Sequence, residues 1–247
     1  MSMWIDPYRF RIPDDGIPFS NVVFLLHYEA FNGSGTYLDS SSYARLHSAG
    51  YTPSTNSTFP KYGVNSANVG TGGTGGGKPN FADAASLTLG TSSFVFESFV
   101  RFNAASMGAL VFVGGQSDAA GSNASTSIAI RKEATNVMRA FCCSGGAQIG
   151  DITGTTVLSV DTWYYVAYTR SGSNFALYVG TSGTPTTEGT ASSASSVNDS
   201  SQQWTLGGLG AFPSNLMVGQ LDESRLAIGA WKNVAVTGVP IGPFNDS

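Results

Sequence analysis

Cysteine occurs twice in 247 residues, side by side at Cys142 and Cys143. Neighbours in a strand point to opposite faces, so the two do not bridge each other. A disulfide framework is excluded, and both are expected as small apolar packers, one buried and one partly exposed. Charge is scarce as well, at 11% of residues against about 25% in an average domain. The net charge is −4 and the pI near 5.0. With no basic face to release counterions from phosphate, nucleic acid is excluded as a partner. The 2 histidines, His27 and His47, leave too few ligands for zinc. They also offer little to a Ser–His–Asp triad, and no Gly-x-Ser-x-Gly elbow precedes a helix. The strongly apolar run near the start, Val22 to Leu26, is far too short to span a membrane. Met1 to Arg11 carries Asp6, Pro7, Arg9 and Arg11 and does not read as a signal peptide. Synthesis in a bacterial or host cytoplasm without secretion is therefore expected. Internal repeats and long amphipathic helices are missing, apart from one possible turn near Ala230–Val234.

What remains is apolar and β-forming. Hydrophobic residues make up 41%, and glycine contributes 31 residues, which suits one large all-β domain. The chain is organised around Asp161 to Gly180. Trp163 to Arg170 and Phe175 to Val179 are aromatic and β-branched arms. Ser171-Gly172-Ser173-Asn174 supplies the turn between them. Trp163, Tyr165 and Ala167 share one face of the first arm, and Tyr164, Val166 and Tyr168 the other. Neither face is polar, so this hairpin is expected to be covered on both sides. Further strands are expected over Asn21–Tyr28, Ser34–Asp39, Ser93–Asn103, Met107–Gly114, Ser125–Lys132, Val137–Cys143, Gln203–Gly210 and Leu216–Ile228. Gly180 to Gln203 reads as a polar loop holding one strand. Gly72 to Lys78 approaches a phosphate loop, but Pro79 stands where Ser or Thr is needed, so it reads as a surface loop.

Three pieces resemble LamG-like, concanavalin A-like jelly rolls in order and spacing. They are Phe94 to Phe102 (FVFESFVRF), the hairpin Asp161 to Gly180, and Gly219 to Leu226 (GQLDESRL). The opening, Asn21 to Tyr28 followed by Asn32-Gly33-Ser34, is similar to that of LamG-like domains in tailed-phage structural proteins. The resemblance implies two antiparallel sheets packed face to face, with the first and last strands adjacent. The expected organisation is an extended arm over residues 1–20, a jelly roll over 21–235 and a tail over 236–247. Pro7, Pro13 and Pro18 keep the arm out of a central strand. Its Trp4, Tyr8 and Phe10 are expected to dock on a partner.

Glycoside hydrolases on this fold carry Glu, one residue, Asp, two residues, Glu on one strand. Here Glu97 stands alone, and Asp222 and Glu223 are adjacent, facing opposite sides of an ideal strand. No catalytic residues are expected. Asp222, Glu223 and Arg225 are read as a buried cluster, with Arg101 or Arg170 as a further member. No cofactor is expected. Calcium, which LamG domains often hold through loop carboxylates and carbonyls, would draw on Asp118, Asp151 and Asp199, each isolated. The function expected is that of a non-enzymatic virion component of a tailed phage, a capsid decoration, cement or tail-appendage protein. Its partners would be the major capsid or tail protein and copies of itself. The alternative is a lectin-type module that stacks glycans on Trp163, Tyr165 or Trp204.

Overall fold

A computed structural model of the chain describes residues 16–31, 37–46, 54–70, 78–117, 122–210 and 215–245. Trp4, Tyr8, Phe10, His47 and Asp118 lie outside them. The strands are β1 (Val22–Phe31), β2 (Tyr37–Asp39), β3 (Ser54–Asn56), β4 (Ser66–Val69), β5 (Asn80–Phe81), β6 (Phe94–Phe102), β7 (Val111–Gln116) and β8 (Ile128–Lys132). They continue with β9 (Met138–Ser144), β10 (Ala147–Thr153), β11 (Trp163–Ser171), β12 (Asn174–Gly180), β13 (Thr186–Ser192), β14 (Trp204–Leu206) and β15 (Gly219–Ile228). One α-helical turn, α1 (Val234–Thr237), follows.

Two antiparallel sheets form a jelly-roll sandwich. The larger runs β13-β12-β11-β6-β15-β1-β2, with β4 on β15 and β3 on β4. The smaller runs β10-β9-β8-β7-β14-β5. First and last strands are adjacent, Val22 opposite Ala227. The hairpin forms with Ser171 opposite Asn174. β10 is a strand not expected from composition, because AQIGDIT is half polar and its Gly150 takes a positive φ of 60°.

Alternation on β6 sets the layers. Phe94, Phe96, Val100 and Phe102 face the smaller sheet, while Val95 and Phe99 face outward. Trp204 fills the interior at 0% exposure, edge-on to Phe24 at 5.6 Å and stacked on Phe96 at 6.2 Å. The outward face of the larger sheet is covered too. Ile17, Val234, Val239 and Phe244 pack on Leu25, Phe99, Tyr165 and Tyr178, with Phe19 and Tyr62 alongside. The last residues, expected as a tail, are thus a structural layer, and residues 16–20 of the expected arm join it. Both cysteines are buried, which corrects the expectation of one partly exposed thiol. Cys142 lies in the interior and Cys143 among Phe112, Ala129, Phe141 and Leu209 on the opposite face.

Trp204→Ala is expected to cost about 3–5 kcal/mol, read as a lower urea midpoint. Phe244→Ala should also lower that midpoint. An unchanged midpoint for Phe244→Ala would show that the closing segment is dispensable to the fold.

Candidate functional site

The buried carboxylates come first, because chemistry on this fold would need them. Glu97 points outward from the middle of β6, fully buried. Arg225, its cross-strand partner, donates to it from Nε at 2.9 Å and again from Nη2. Lys232 contributes an ammonium at 2.6 Å, and the Tyr165 hydroxyl donates to the same carboxylate. Phe244 closes the cluster, with the Arg225 guanidinium 4.5 Å from its ring centre. Burial pushes the Glu97 carboxyl up, but Arg225 and Lys232 outweigh it and hold the group down at about 2. Asp222, Glu223 and Arg225 are all buried, as expected, but Arg225 answers Glu97, with Lys232 as the second cation in place of Arg101 or Arg170. Arg170 instead binds the carbonyls of Gly90, Gly172 and Ser195.

Asp222 and Glu223 depart from strand alternation. Asp222 sits opposite Phe99 and Arg225 opposite Glu97, so β15 holds one extra residue between them. That is a β-bulge, and Glu223 takes a φ of 48° within it. Both carboxylates therefore face the covering layer, which corrects the expectation that they face opposite sides. Asp222 accepts the Lys61 and Tyr62 N–H groups at 2.8 and 3.1 Å. Glu223 accepts the Phe244 N–H at 2.8 Å and lies 2.8 Å from His27 Nδ1. Burial first, then the Glu223 charge, pushes the Asp222 carboxyl up to about 8. These acids pin backbone segments down, and neither faces open solvent. Among the described residues, no carboxylate pair is set across an open cleft.

The stacking candidates separate by burial. Tyr165 and Trp204 are both 0% exposed, one under the covering layer and one in the core. Neither offers a ring to a ligand, which corrects that part of the lectin expectation. Trp163 is half-buried on the outward face, at the start of β11. It pairs with Arg101, Arg101 with Gln220, and Gln220 with Asn68, one row across β11, β6, β15 and β4. Hydrogen bonds follow that row. Arg101 Nη1 donates to Gln220 Oε1 at 2.5 Å, and Gln220 Nε2 to Asn68 Oδ1 at 3.3 Å. At the other end Arg101 Nη2 meets Asp161 Oδ1 at 2.9 Å, and the Asp161 side chain is 54% exposed. Phe59 lies over the guanidinium, 4.1 Å from ring centre to Cζ.

Local structure explains each position. Phe59 follows a turn in which Asn56 Oδ1 accepts the Thr58 N–H at 2.8 Å, and the Phe59 carbonyl accepts from Ser66 Oγ at 3.1 Å. Asp161 adopts a φ of 58°, a conformation that Asp tolerates better than most residues. Its N–H donates to Phe102 O at 2.8 Å. Trp163, a stacking candidate from the sequence, thus sits with Phe59, Arg101, Asp161, Gln220 and Asn68, which sequence reasoning did not place beside it. Alternation along β6 does place Arg101 on the face of Glu97 and Phe99, but nothing local announces β4 or the Phe59 loop as its neighbours.

Calcium finds no cluster either. Asp151 is held by Arg139 at 2.7 Å, and Asp199 accepts from Thr88 at 2.9 Å. No group of three or more metal-ligating acids, histidines or cysteines occurs among the described residues.

Residues 73–230 match the family model described as the concanavalin A-like lectin/glucanases superfamily. The chain belongs to that superfamily. No curated protein matches its sequence. Among solved structures, the receptor-binding domain of botulinum neurotoxin mosaic serotype C/D is similar, with a TM-score of 0.61 and 9% identity over 89% of this chain and 50% of that one. Domain 4 of AbnA, an extracellular arabinanase of Geobacillus stearothermophilus solved with arabinotriose, gives 0.53 and 13% over 88% and 97%. A putative carbohydrate-binding protein of Bacteroides ovatus gives 0.50 and 13% over 72% and 47%. The chain thus spans about half the length of the Bacteroides and toxin chains. At these identities the likeness is one of superfamily fold.

The two buried acids predict opposite pH behaviour. Asp222 keeps its proton in the folded chain up to about 8, whereas an ordinary aspartate releases it near ~4. The folded state therefore binds more protons across that window, and stability falls as pH rises through it. Asp222→Asn should flatten the slope and raise the melting temperature at pH 8 relative to the parent. Glu97 contributes stability that is present above its ordinary carboxylate range and lost as pH falls toward about 2. Glu97→Gln leaves Arg225 and Lys232 buried without their counter-charge, at a cost of about 3–5 kcal/mol. Thermal melts between pH 3 and 9 check both.

Proposed function

We propose that this chain is a non-enzymatic recognition module that binds a glycan on the outward row of Trp163, Arg101, Gln220 and Asn68. The observation that carries the reading is the row itself: an aromatic ring at each flank, Phe59 and Trp163, beside amides and one exposed carboxylate. Flat aromatic faces take the apolar face of a pyranose, and the exposed Asp161 carboxylate takes its hydroxyls, while the Gln220 and Asn68 amides hold the row in place. The buried acids support the non-enzymatic half, since Glu97, Asp222 and Glu223 are each enclosed by partners of the fold. Screening the full chain on a glycan array tests the reading. Binding should occur and weaken by about tenfold or more in Trp163→Ala, as removing a stacking ring removes an interface anchor. Absence of any glycan binding would refute it.

A second reading is that of a virion structural component, a capsid decoration, cement or tail-appendage protein, in contact with the major capsid or tail protein and with copies of itself. One structural observation favours it. The covering layer that receives Ile17 also exposes Trp231, Val236 and Ile241 at 39%, 78% and 84%. Apolar side chains left in water suit an assembly contact. Deleting residues 1–15 should leave the melting temperature nearly unchanged and abolish incorporation into particles, counted by mass spectrometry of purified virions. Normal incorporation would place the contact elsewhere.

A further inference from the structure

The charge arrangement of the row goes one step further than a general affinity for glycans. Arg101 is its cation, yet the guanidinium is closed to a ligand. Its side chain is 10% exposed, Nη1 is taken by Gln220 and Nη2 by Asp161. Phe59 covers one face of the group. The planar fork of an arginine is the group best matched to the carboxylate of an acidic sugar, and that fork is occupied here. Lys61, on the loop of Phe59, lays its ammonium over the Phe99 and Tyr62 rings at 5.2 and 5.5 Å. The charge that the row turns to solvent is instead the Asp161 carboxylate, 54% exposed and held in place by Arg101.

A carboxylate presented this way accepts two hydroxyl hydrogen bonds at once and donates none. It therefore suits a vicinal diol and opposes a second carboxylate. Gln220, buried like Arg101, spends its amide on Arg101 and Asn68 and so orders the row from beneath. The backbone supports this assignment, because Asp161 keeps its carboxylate there at a φ of 58°. Residues held in such conformations concentrate at binding and catalytic sites.

We infer that the row selects neutral pyranose glycans over carboxylated ones, with Asp161 as the residue that sets the selection; this rests on the glycan reading above. Asp161→Asn is the informative variant. Asn tolerates the same backbone conformation and retains one acceptor oxygen. It removes the exposed negative charge and releases Arg101 Nη2.

The experiment uses the full chain on matched probes, lactose against sialyllactose and galacto-oligosaccharides against oligogalacturonates. The neutral member of each pair should bind more tightly by roughly tenfold or more, since a like charge against Asp161 is penalised. Asp161→Asn should narrow or reverse that ratio at an unchanged melting temperature. Equal or tighter binding of the acidic members by the parent chain would overturn the selection while leaving the glycan reading intact. So would an unaltered ratio in Asp161→Asn. Failure of every probe to bind would overturn both. Binding that survives Trp163→Ala and Phe59→Ala undiminished would remove both from this row.

Discussion

A carboxylate enclosed at the middle of a sheet face must be answered by cations, and on this chain the answer is completed from far along the sequence. Glu97 is matched by Arg225 on the neighbouring strand, but also by Lys232 beyond the last strand. Leaving any member of such a buried group without its partner is strongly destabilising. The segment that carries Lys232 is therefore held against the larger sheet, and it brings Val234, Val239 and Phe244 with it. The covering layer follows from that one electrostatic requirement together with the apolar face beneath it.

The same layer divides the acids by what they do. On β15 the bulge turns Asp222 and Glu223 toward backbone N–H groups of two covering segments, near residues 61–62 and 244. These carboxylates act as staples under a lid of chain. Two residues along β6 from Phe99, Arg101 faces outward at the margin of the cover, flanked by Phe59 and Trp163. The structural acids and the proposed recognition row thus share one face of one sheet, separated by where the covering segments stop.

The parts of this molecule written in local pattern were legible in its sequence. The aromatic arms and the Ser171–Asn174 turn gave the central hairpin, and the absence of a polar face on Trp163–Tyr168 indicated cover on both sides. The acids of GQLDESRL were recognisable as a buried structural group. What alternation cannot tell is which covered face an aromatic residue belongs to. Tyr165 and Trp204 read like Trp163 as possible platforms, yet each is sealed under a different layer. Nor does it tell where a bulge inserts a residue. Asp222 and Glu223 share a face because β15 gains one position against β6. Lys232 was invisible as a partner of Glu97 for a simpler reason: the pairing depends on two elements distant in sequence meeting across a finished sheet.

The place of β15 in the larger sheet also bears on how the chain is made. That strand lies between β1 and β6, hydrogen-bonded to both, and to β4 as well. Until it emerges, β1 has no neighbour on that side and the central β6 is left with an open edge. Synthesis adds residues from the N-terminus at a measured pace, and long-range β pairing is slow for its loop-closure cost. For most of translation the nascent chain therefore carries two half-sheets without the strand that joins them. The low charge that serves the folded surface gives those exposed edges little electrostatic protection, so the interval before residue 228 is when this protein is most exposed to mispairing.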